Sequence, residues 1–390
     1  MGYSSSTVRD RILRERRRKE LGTSKPAVVW EGGFEIDGLE NTVYSKRGWL
    51  QASTVRRGDM LWTGIGWTRV VQVAHLPAVT GLRLTTLNGF SIVLPHNQEV
   101  VTALGEKHVG SVERGHRLIM RYSSIEGDFS SSPGAETAIF LASAVALRVP
   151  FVRTFSLPLV YEDVALRLKN AIGTLVPSAY RGIWVEKKVS EVRVKFTEAA
   201  RKELQGATDT RPESIRKTLL RMSPEVLSIF LCYLVLFGAQ MATQHVDIRI
   251  KDIALATTIQ NLLMGFRILS KRMDKTVSSV LRLWQYEMEP MVEMAQVEPA
   301  FQRMLRQWIR LARLQSPGAD PRDPEEDVLE IVGKVELAKV RPVRIQTDGE
   351  YLLANHVLCF CPITTIRRPT AGDIMNSKET DDDGDTRRDR

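Results

Sequence analysis

The sequence predicts an α+β protein in which an all-β unit is split along the chain by an inserted α+β unit. Three observations predict this. Short β-rich runs fill residues 34–122 and return at 328–361, helices and strands alternate over 137–315, and linkers rich in Ser, Gly, Pro and Asp lie at 123–136 and 316–327. Each β-rich piece is too short to be convincing as an independent domain, so we expect the two pieces to complete one another.

The composition is that of a basic protein with enough apolar residues to fold. Its 390 residues allow two to three domains, and a hydrophobic content of 43% is enough to bury real cores. The formal net charge of +9 favours polyanionic partners such as nucleic acid. Three cysteines are too few for a disulfide framework or a four-ligand zinc site. We therefore expect no metal, no cofactor and a reducing, intracellular compartment, with association with a phage or an organelle as a further option.

The two ends of the chain are polar. Residues 1–33 form a basic arm and residues 362–390 form a mixed-charge tail. No apolar core of a secretory signal is present in 8–20, which read VRDRILRERRRKE. The most apolar run, at 226–246, ends in polar residues from Gln240 onward, so it predicts a buried helix and no membrane partner.

The β-rich regions consist of short strand-like runs separated by Gly, Asn and Pro turns. In the first region these runs are TVYS, GWLQAS, DMLWTG, TRVVQVAHL, GLRLTTL, FSIVL, EVVTAL and RLIMRY. In the closing region they are VLEIVGKVELAKVRPVRIQT and YLLANHVLCFC. Such a density of short strands predicts one small all-β unit.

The inserted region shows a coarse internal repeat. Apolar helices are predicted at 140–150, FLASAVALRVP, and at 230–240, FLCYLVLFGAQ. Each is followed by the same order of strands and helices. We therefore predict two repeats, at about 137–225 and 226–315, related by a pseudo-two-fold axis within a monomer.

This order of segments resembles an intein-type Hint fold interrupted by a LAGLIDADG homing-endonuclease domain, over residues 34–361. In the Hint part, the similar segments are NTVYSKRGWLQASTVRRGDMLW (41–62), GFSIVLPHNQEVVT (89–102) and GEYLLANHVLCFC (349–361). In the nuclease part, they are LASAVALRV (141–149), LCYLVLFGA (231–239) and VDIRIKDIALATTIQNLLMGFRIL (246–269). The resemblance implies a splicing centre in the β unit and a nuclease centre at the ends of the two signature helices.

The positions that match the splicing centre depart from the family's pattern. Splicing needs a Cys or Ser at the opening position, which matches near Asp37, because only a thiol or hydroxyl can start the acyl shift. It also needs a terminal His-Asn and a following nucleophile, where this chain has Phe360, Cys361 and Pro362. His96 falls where the resemblance places a catalytic histidine, with a purely structural role as the alternative. We expect self-splicing to be lost.

The positions that match the nuclease centre depart as well. A LAGLIDADG enzyme places one carboxylate at the end of each signature helix, so that the pair can hold divalent metals. The matching residues here are Arg148 and Gly238. Glu136 and Glu225 lie near the starts of the helices, about one helix length away, and cannot replace them. We expect phosphodiester cleavage to be lost too.

The predicted function is therefore that of a catalytically inactive protein retained to bind DNA or RNA. Alternation in VRVKF (192–196) and VDIRIK (246–251) sets cations opposite apolar residues, as on a strand with one outward face. The candidate contacts are Arg193, Lys195, Arg249 and Lys251, with Arg148 adding charge at the centre, and the helix at 301–314 adds Arg303, Arg306, Arg310 and Arg313 on one face. Ordinary solvated faces are the alternative for each of these sets.

Two other functions remain open at this point. The chain could be a structural subunit of a large assembly, such as a phage particle or a ribonucleoprotein, bound to neighbouring protein subunits. It could also retain autoprocessing around His96 and Cys361, or cleavage by relocated carboxylates.

Overall fold

The computed structural model describes residues 29–31, 33–64, 66–121, 132–242, 244–315, 326–361 and 364–366. Most of the predicted basic arm, most of both predicted linkers and the tail after residue 366 lie outside these ranges. The side chains of residues 312–315, among them Arg313, also lie outside the description.

Twenty-three strands and eight α-helices make up the described chain. The first β region contains β1 (Val29–Glu31), β2 (Phe34–Asp37), β3 (Thr42–Ser45), β4 (Gly48–Gln51), β5 (Met60–Trp62), β6 (Trp67–His75), β7 (Val79–Thr86), β8 (Ser91–Pro95), β9 (Glu99–Thr102), β10 (Gly105–His108) and β11 (Arg117–Arg121). The first half of the insert contains α1 (Ala135–Leu147), β12 (Thr154–Pro158), α2 (Glu162–Leu175), β13 (Ile183–Lys187), β14 (Glu191–Phe196), α3 (Glu198–Ala207) and α4 (Pro212–Leu219). The second half contains α5 (Pro224–Gly238), β15 (Ala239–Met241), β16 (His245–Ile250), α6 (Ile253–Gly265), β17 (Ser270–Asp274), β18 (Ser279–Trp284), α7 (Glu289–Met294) and α8 (Pro299–Gln315). The closing region contains β19 (Glu326–Val340), β20 (Pro342–Thr347), β21 (Tyr351–Ala354), β22 (Val357–Phe360) and β23 (Thr364–Ile366).

The strands of the two β regions interleave in one antiparallel sheet of fourteen strands. β20 lies between β2 and β6, the β21–β22 hairpin lies between β3 and β9, and β19 lies between β11 and β7. The larger core of the β unit, which includes Phe34, Leu84 and Cys359, draws on both regions. Neither region can therefore bury its apolar strand faces without the other. β1 and β23, the first and last strands of the described chain, pair with each other.

The two apolar runs of the insert are helices, α1 and α5, as predicted. Ser223 caps α5, because its hydroxyl accepts the Val226 N–H, and Pro224 occupies the first turn. α5 is apolar all round because it lies in the core, where Phe230 and Leu231 are fully buried. No helix among the described residues is both long and apolar enough to cross a membrane.

Each half of the insert carries a small antiparallel sheet. The first has the strand order β12-β14-β13 and the second has the order β15-β16-β18-β17. The inner faces of both sheets and the apolar faces of the helices share one core, which includes Val194, Leu231 and Leu281. The mixture of helices with a large antiparallel sheet agrees with the predicted α+β class.

The second half of the insert docks on the β unit through α6 and β17. Met264 and Leu269 extend from this half into the core of the β unit. Two donors, Gln260 Nε2 and the Arg272 backbone N–H, bond the Asn88 carbonyl at 2.8 Å each. Shared core packing and shared hydrogen bonds hold the two units in one arrangement.

The turn between β21 and β22 is the second docking point. Asn355 and His356 both adopt positive φ angles, of 45° and 64°. The His356 ring is fully buried, with Nδ1 3.0 Å from the Arg121 carbonyl and Nε2 2.7 Å from the Asn261 carbonyl of α6. Burial lowers the pKa of His356 to about 4, so the ring is neutral at pH 7.

Candidate nucleic-acid interface

One buried side chain, that of Gln98, joins two strands of the β unit. They are β2, near the start of the unit and here called the entering strand, and β22, near its end and here called the leaving strand. Gln98 Oε1 accepts the Glu35 backbone N–H at 2.7 Å, and Gln98 Nε2 donates to the Phe360 carbonyl at 2.9 Å. A carboxamide has both a donor and an acceptor, so it satisfies both strands at once. Gln98 therefore clamps the two chain segments at the place where the sequence resemblance implies a splicing centre.

His96 lies outside this junction. Its side chain is 41% exposed, and its Nε2 is 3.8 Å from the Glu336 carboxylate. A turn after Pro95 explains why His96 is exposed and Gln98 is buried. The turn is closed by the Gln98 N–H, which donates to the Pro95 carbonyl at 3.2 Å, and it points the side chain of Gln98 inward. The structure thus puts Gln98, and not His96, between the entering and leaving strands. The carboxamide of Gln98 does not titrate near neutral pH, so it cannot act as a general acid or base there.

The contacts between the entering and leaving strands lie at residues 33–35, before Asp37 in the sequence. The Asp37 carboxylate accepts the backbone N–H groups of Leu39, Glu40 and Arg341, so it closes a turn. The backbone N–H of Gly33 donates a hydrogen bond to the Cys361 sulfur. Burial raises the pKa of the Cys361 thiol and outweighs the opposite effect of this hydrogen bond.

Residues 33–35, the part of the entering strand at this junction, read Gly-Phe-Glu and contain no hydroxyl or thiol. On the leaving side, Phe360 is 5% exposed and its ring packs 5.3 Å from that of Tyr351. A phenyl ring cannot transfer a proton, so its role at this position is packing.

The ends of α1 and α5 meet at a close contact between small residues. A Cβ placed on Gly238 would lie 3.0 Å from the Ala146 Cβ, tighter than normal packing. Arg148 caps α1 with φ at 62°, and its side chain is exposed. The positions that match the two nuclease acids therefore hold a helix contact and a solvated cation. Within the described ranges, no three His, Cys, Asp or Glu side chains are grouped so that they could hold a metal ion.

The outer face of the first sheet is balanced in charge. Val192, Val194 and Phe196 of β14 face the core, while Arg193 and Lys195 face outward. Both outward cations bond carboxylates. Arg193 lies 2.6 Å from Glu191, and Lys195 lies 2.6 Å from Glu186.

Hydrogen bonds from Lys188 and Lys195 lower the pKa of Glu186 to about 2, so this carboxylate stays charged at neutral pH. Next to Lys195 in the register lies Trp184, an indole that is 62% exposed. This face therefore offers a mixed polar and aromatic surface.

The outer face of the second sheet has an excess of cations. The register places Asp247, Arg282 and Lys271 side by side on β16, β18 and β17. Arg282 makes two bonds of 2.8 Å to Asp247 and lowers the pKa of that carboxyl. Among the described residues, neither Lys271 nor the exposed Arg249 has an ion-pair partner. Two uncompensated cations thus remain on this face.

Lys251 does not continue the strand face on which the sequence pattern placed it. β16 ends at Ile250, and Lys251 lines a cleft of about 590 Å³ between the β unit and the second half of the insert. Three bases and three acids line this cleft, namely Arg83, Lys251, Arg272, Glu40, Asp252 and Asp274. Arg83 bonds Glu40 at 3.0 Å and Arg272 bonds Asp274 at 3.0 Å, so the cleft is close to neutral.

The helix predicted at 301–314 is α8. Phe301, Leu305 and Ile309 are buried on its inner face, while Arg303, Arg306 and Arg310 are exposed. Arg313 belongs to the same helix, with its side chain outside the described part.

Sequence reasoning missed Gln98, Lys271 and Arg282 as site residues. Lys271 lies in β17, which reads SKRMD and whose buried members include Arg272, so no apolar alternation marks its outward face. Arg282 lies in the more recognisable strand SVLRLW, where the single cation between apolar residues was a usable signal.

Comparisons with known proteins give partial structural likenesses. No family model matches the chain, and no curated protein matches it. The gp41-1 intein is 22% identical over 23% of this chain and 70% of its own, with a TM-score of 0.21. The homing endonuclease I-DmoI, in complex with DNA and Mn, is 14% identical over 41% of this chain and 96% of its own, with a TM-score of 0.28. Full-length DUF199/WhiA from Thermatoga maritima is 17% identical over 50% of this chain and 66% of its own, with a TM-score of 0.26. Solved structures similar to parts of this chain therefore include inteins and a homing endonuclease.

Proposed function

We propose that this protein binds nucleic acid through the outer faces of the two small sheets and leaves it intact. The observation that carries the proposal is the pair Arg249 and Lys271, which face outward on the second sheet with no acidic partner among the described residues. A phosphodiester backbone supplies the missing negative charge and releases counterions on binding.

Neighbouring groups on the same faces suit this role. Arg282 is held by Asp247 beside Lys271, and its guanidinium lies 5.8 Å from the centre of the Trp284 ring. A held guanidinium loses little conformational freedom when it meets a phosphate. Trp184 on the first sheet offers a flat apolar surface. These groups orient a bound strand, while Arg249 and Lys271 supply most of the attraction.

We propose the absence of catalysis from the residues at the positions that match the splicing centre and the nuclease centre. Gly238 and Arg148 supply no carboxylate at the nuclease positions, and Gln98 and Phe360 supply no titratable group near pH 7 at the splicing positions. The outward carboxylates Glu186 and Asp247 already bond Lys and Arg side chains, which compete with a divalent cation. Membership of a larger assembly and residual catalysis stay as alternative functions that the experiment below distinguishes.

The test is the salt dependence of binding to mixed-sequence duplex DNA and to structured RNA, followed by fluorescence anisotropy. Logarithmic affinity falls with logarithmic salt by about 0.9 per phosphate contact in a DNA duplex. The double variant Arg249→Gln/Lys271→Gln should therefore make the slope shallower by about 2. A matched control, Arg114→Gln/Lys202→Gln, removes the same charge from exposed residues of the β unit and of α3.

Equal slopes for the two double variants would show that the sheet faces do not contact phosphates. No binding by the wild type at low salt would leave the assembly subunit as the better proposal. Shortened nucleic acid in the same samples would instead indicate residual catalysis.

A further inference from the structure

We infer that α8 is a second phosphate-binding surface, separate from the sheet faces, so that one protein molecule holds two nucleic-acid duplexes at once. The inference rests on the proposed function, because it assumes that the sheet faces bind the first duplex. It concerns a different element of the insert.

The exposed side of α8 carries arginines and no acidic residue. Residues 299–315 contain no Asp or Glu, and Arg303, Arg306 and Arg310 are all exposed. None of these three guanidiniums makes an ion pair or hydrogen bond with another residue in the part of the chain that the structure describes. Gln307, between Arg306 and Arg310 on the exposed side, adds a neutral donor.

The spacing of these arginines is unfavourable for an isolated helix. Residues three or four apart are neighbours on a helix surface, so Arg303 and Arg306 repel each other, as do Arg306 and Arg310. The helix forms because Phe301, Leu305 and Ile309 are buried in the core of the insert. A polyanion would remove the repulsion that the described residues leave uncompensated, which is why we assign this surface to a phosphodiester backbone.

The stripe has the dimensions of a short phosphate contact. Arg303 and Arg310 are seven residues apart, or about 10 Å at 1.5 Å per residue. A duplex carries one negative charge per about 1.7 Å of axis, so several phosphates lie within that length. Three arginines can therefore contact phosphates on the same duplex.

The stripe and the second sheet face away from a common core. Leu305 of α8 and Leu281 of β18 belong to the same buried cluster, and the exposed arginines of the helix and the outward groups of the sheet each point away from that core. Two hydrogen bonds at Trp308 fix the position of α8 relative to the second sheet. Trp308 Nε1 donates to the Ala242 carbonyl at 3.2 Å, and Gln285 Nε2 donates to the Trp308 carbonyl. A duplex on the sheet face and a duplex on α8 would therefore contact different elements of the insert.

The test is a bridging assay with the full-length protein. A biotinylated duplex on beads captures the protein at low salt, and a fluorescent duplex without biotin is then added and retained fluorescence is measured. Wild type should retain the second duplex, and light scattering in solution should find two duplexes per single protein chain.

The diagnostic variant is Arg303→Gln/Arg306→Gln/Arg310→Gln. It should lower retention of the second duplex at least tenfold while changing capture of the first by less than twofold. The matched control Arg114→Gln/Lys202→Gln/Lys339→Gln removes the same charge from exposed residues elsewhere and should keep bridging. Unfolding midpoints of all variants show whether the triple variant remains folded.

Three results would overturn the inference, and a fourth bears on the proposed function. Wild type that binds the first duplex but never retains the second has one surface only. A triple variant that weakens both steps equally shows that α8 belongs to the same contact track as the sheet. If the bridging complexes contain two protein chains, bridging results from association of the protein with itself and not from two surfaces on one molecule. Failure to capture even the first duplex contradicts the proposed function itself.

Discussion

The buried His356 should make the stability of the protein depend on pH in a defined window. Its ring is fully buried between the Arg121 and Asn261 carbonyls, and burial lowers its pKa from 6.5 to about 4. In the unfolded chain the ring takes up a proton near pH 6.5, whereas in the folded protein it does so only near pH 4. The unfolded state therefore binds more protons between these values, and acid destabilises the fold.

The size of this effect follows from the two pKa values. The contribution is fully present above pH 6.5 and is lost as the pH falls towards 4. Each unit is worth 1.36 kcal/mol, so the free energy of unfolding should fall by about 2 kcal/mol from pH 7 to pH 5 and by about 3 kcal/mol at pH 4. Above pH 5 most carboxylates remain charged, so this upper range isolates the histidine contribution best.

The assay is urea unfolding at pH 7 and pH 5, with wild type compared to His356→Asn. Asparagine tolerates the positive φ of 64° at this position and does not titrate. Wild type should lose about 2 kcal/mol more than the variant over this interval. Equal losses would show that another group carries the acid sensitivity and would refute the burial argument for His356.

Three further predictions concern packing and the clamp. Gly238→Ala should lower the free energy of unfolding by about 1–3 kcal/mol in urea titrations, because its Cβ would lie 3.0 Å from the Ala146 Cβ. Tyr233→Phe should cost about 1–3 kcal/mol by the same assay, because Glu298, which is 4% exposed, loses the Tyr233 hydroxyl as a donor. Gln98→Ala should cost a similar amount and should speed hydrogen exchange at the Glu35 N–H, since it removes the clamp between the entering and leaving strands.

Each of these predictions has a contradicting result. An unchanged urea midpoint for Gly238→Ala would mean that α1 and α5 separate without cost. For Tyr233→Phe, an unchanged free energy of unfolding would mean that Arg167, 3.3 Å from the Glu298 carboxylate, is a sufficient partner for that carboxylate. Unaltered exchange at Glu35 in Gln98→Ala would show that the strands stay closed without the carboxamide.

The local elements of this fold could be read from the sequence because their periodicity is local. Alternation marked β14 and the apolar run marked α5, and both form where expected. The strand order could not be read, since β20 pairs with β2 across some three hundred residues and many orders satisfy the same alternation.

The candidate site was harder to predict than the elements. His96 drew attention because imidazoles carry chemistry, yet the turn after Pro95 puts Gln98 inward. Arg193 was correctly read as outward-facing, but its bond to Glu191 depends on side-chain rotamers that no pattern specifies. Lys271 was hidden because its strand buries the charged Arg272.

The central claim is that this protein binds nucleic acid and does not cut it. The most direct test incubates the wild-type protein with labelled duplex at low salt and with Mg²⁺, then resolves one half of each sample on a native gel and the other on a denaturing gel. The account predicts a shifted band on the native gel and full-length strands on the denaturing gel. Shorter strands, or no shift at low salt, would contradict it.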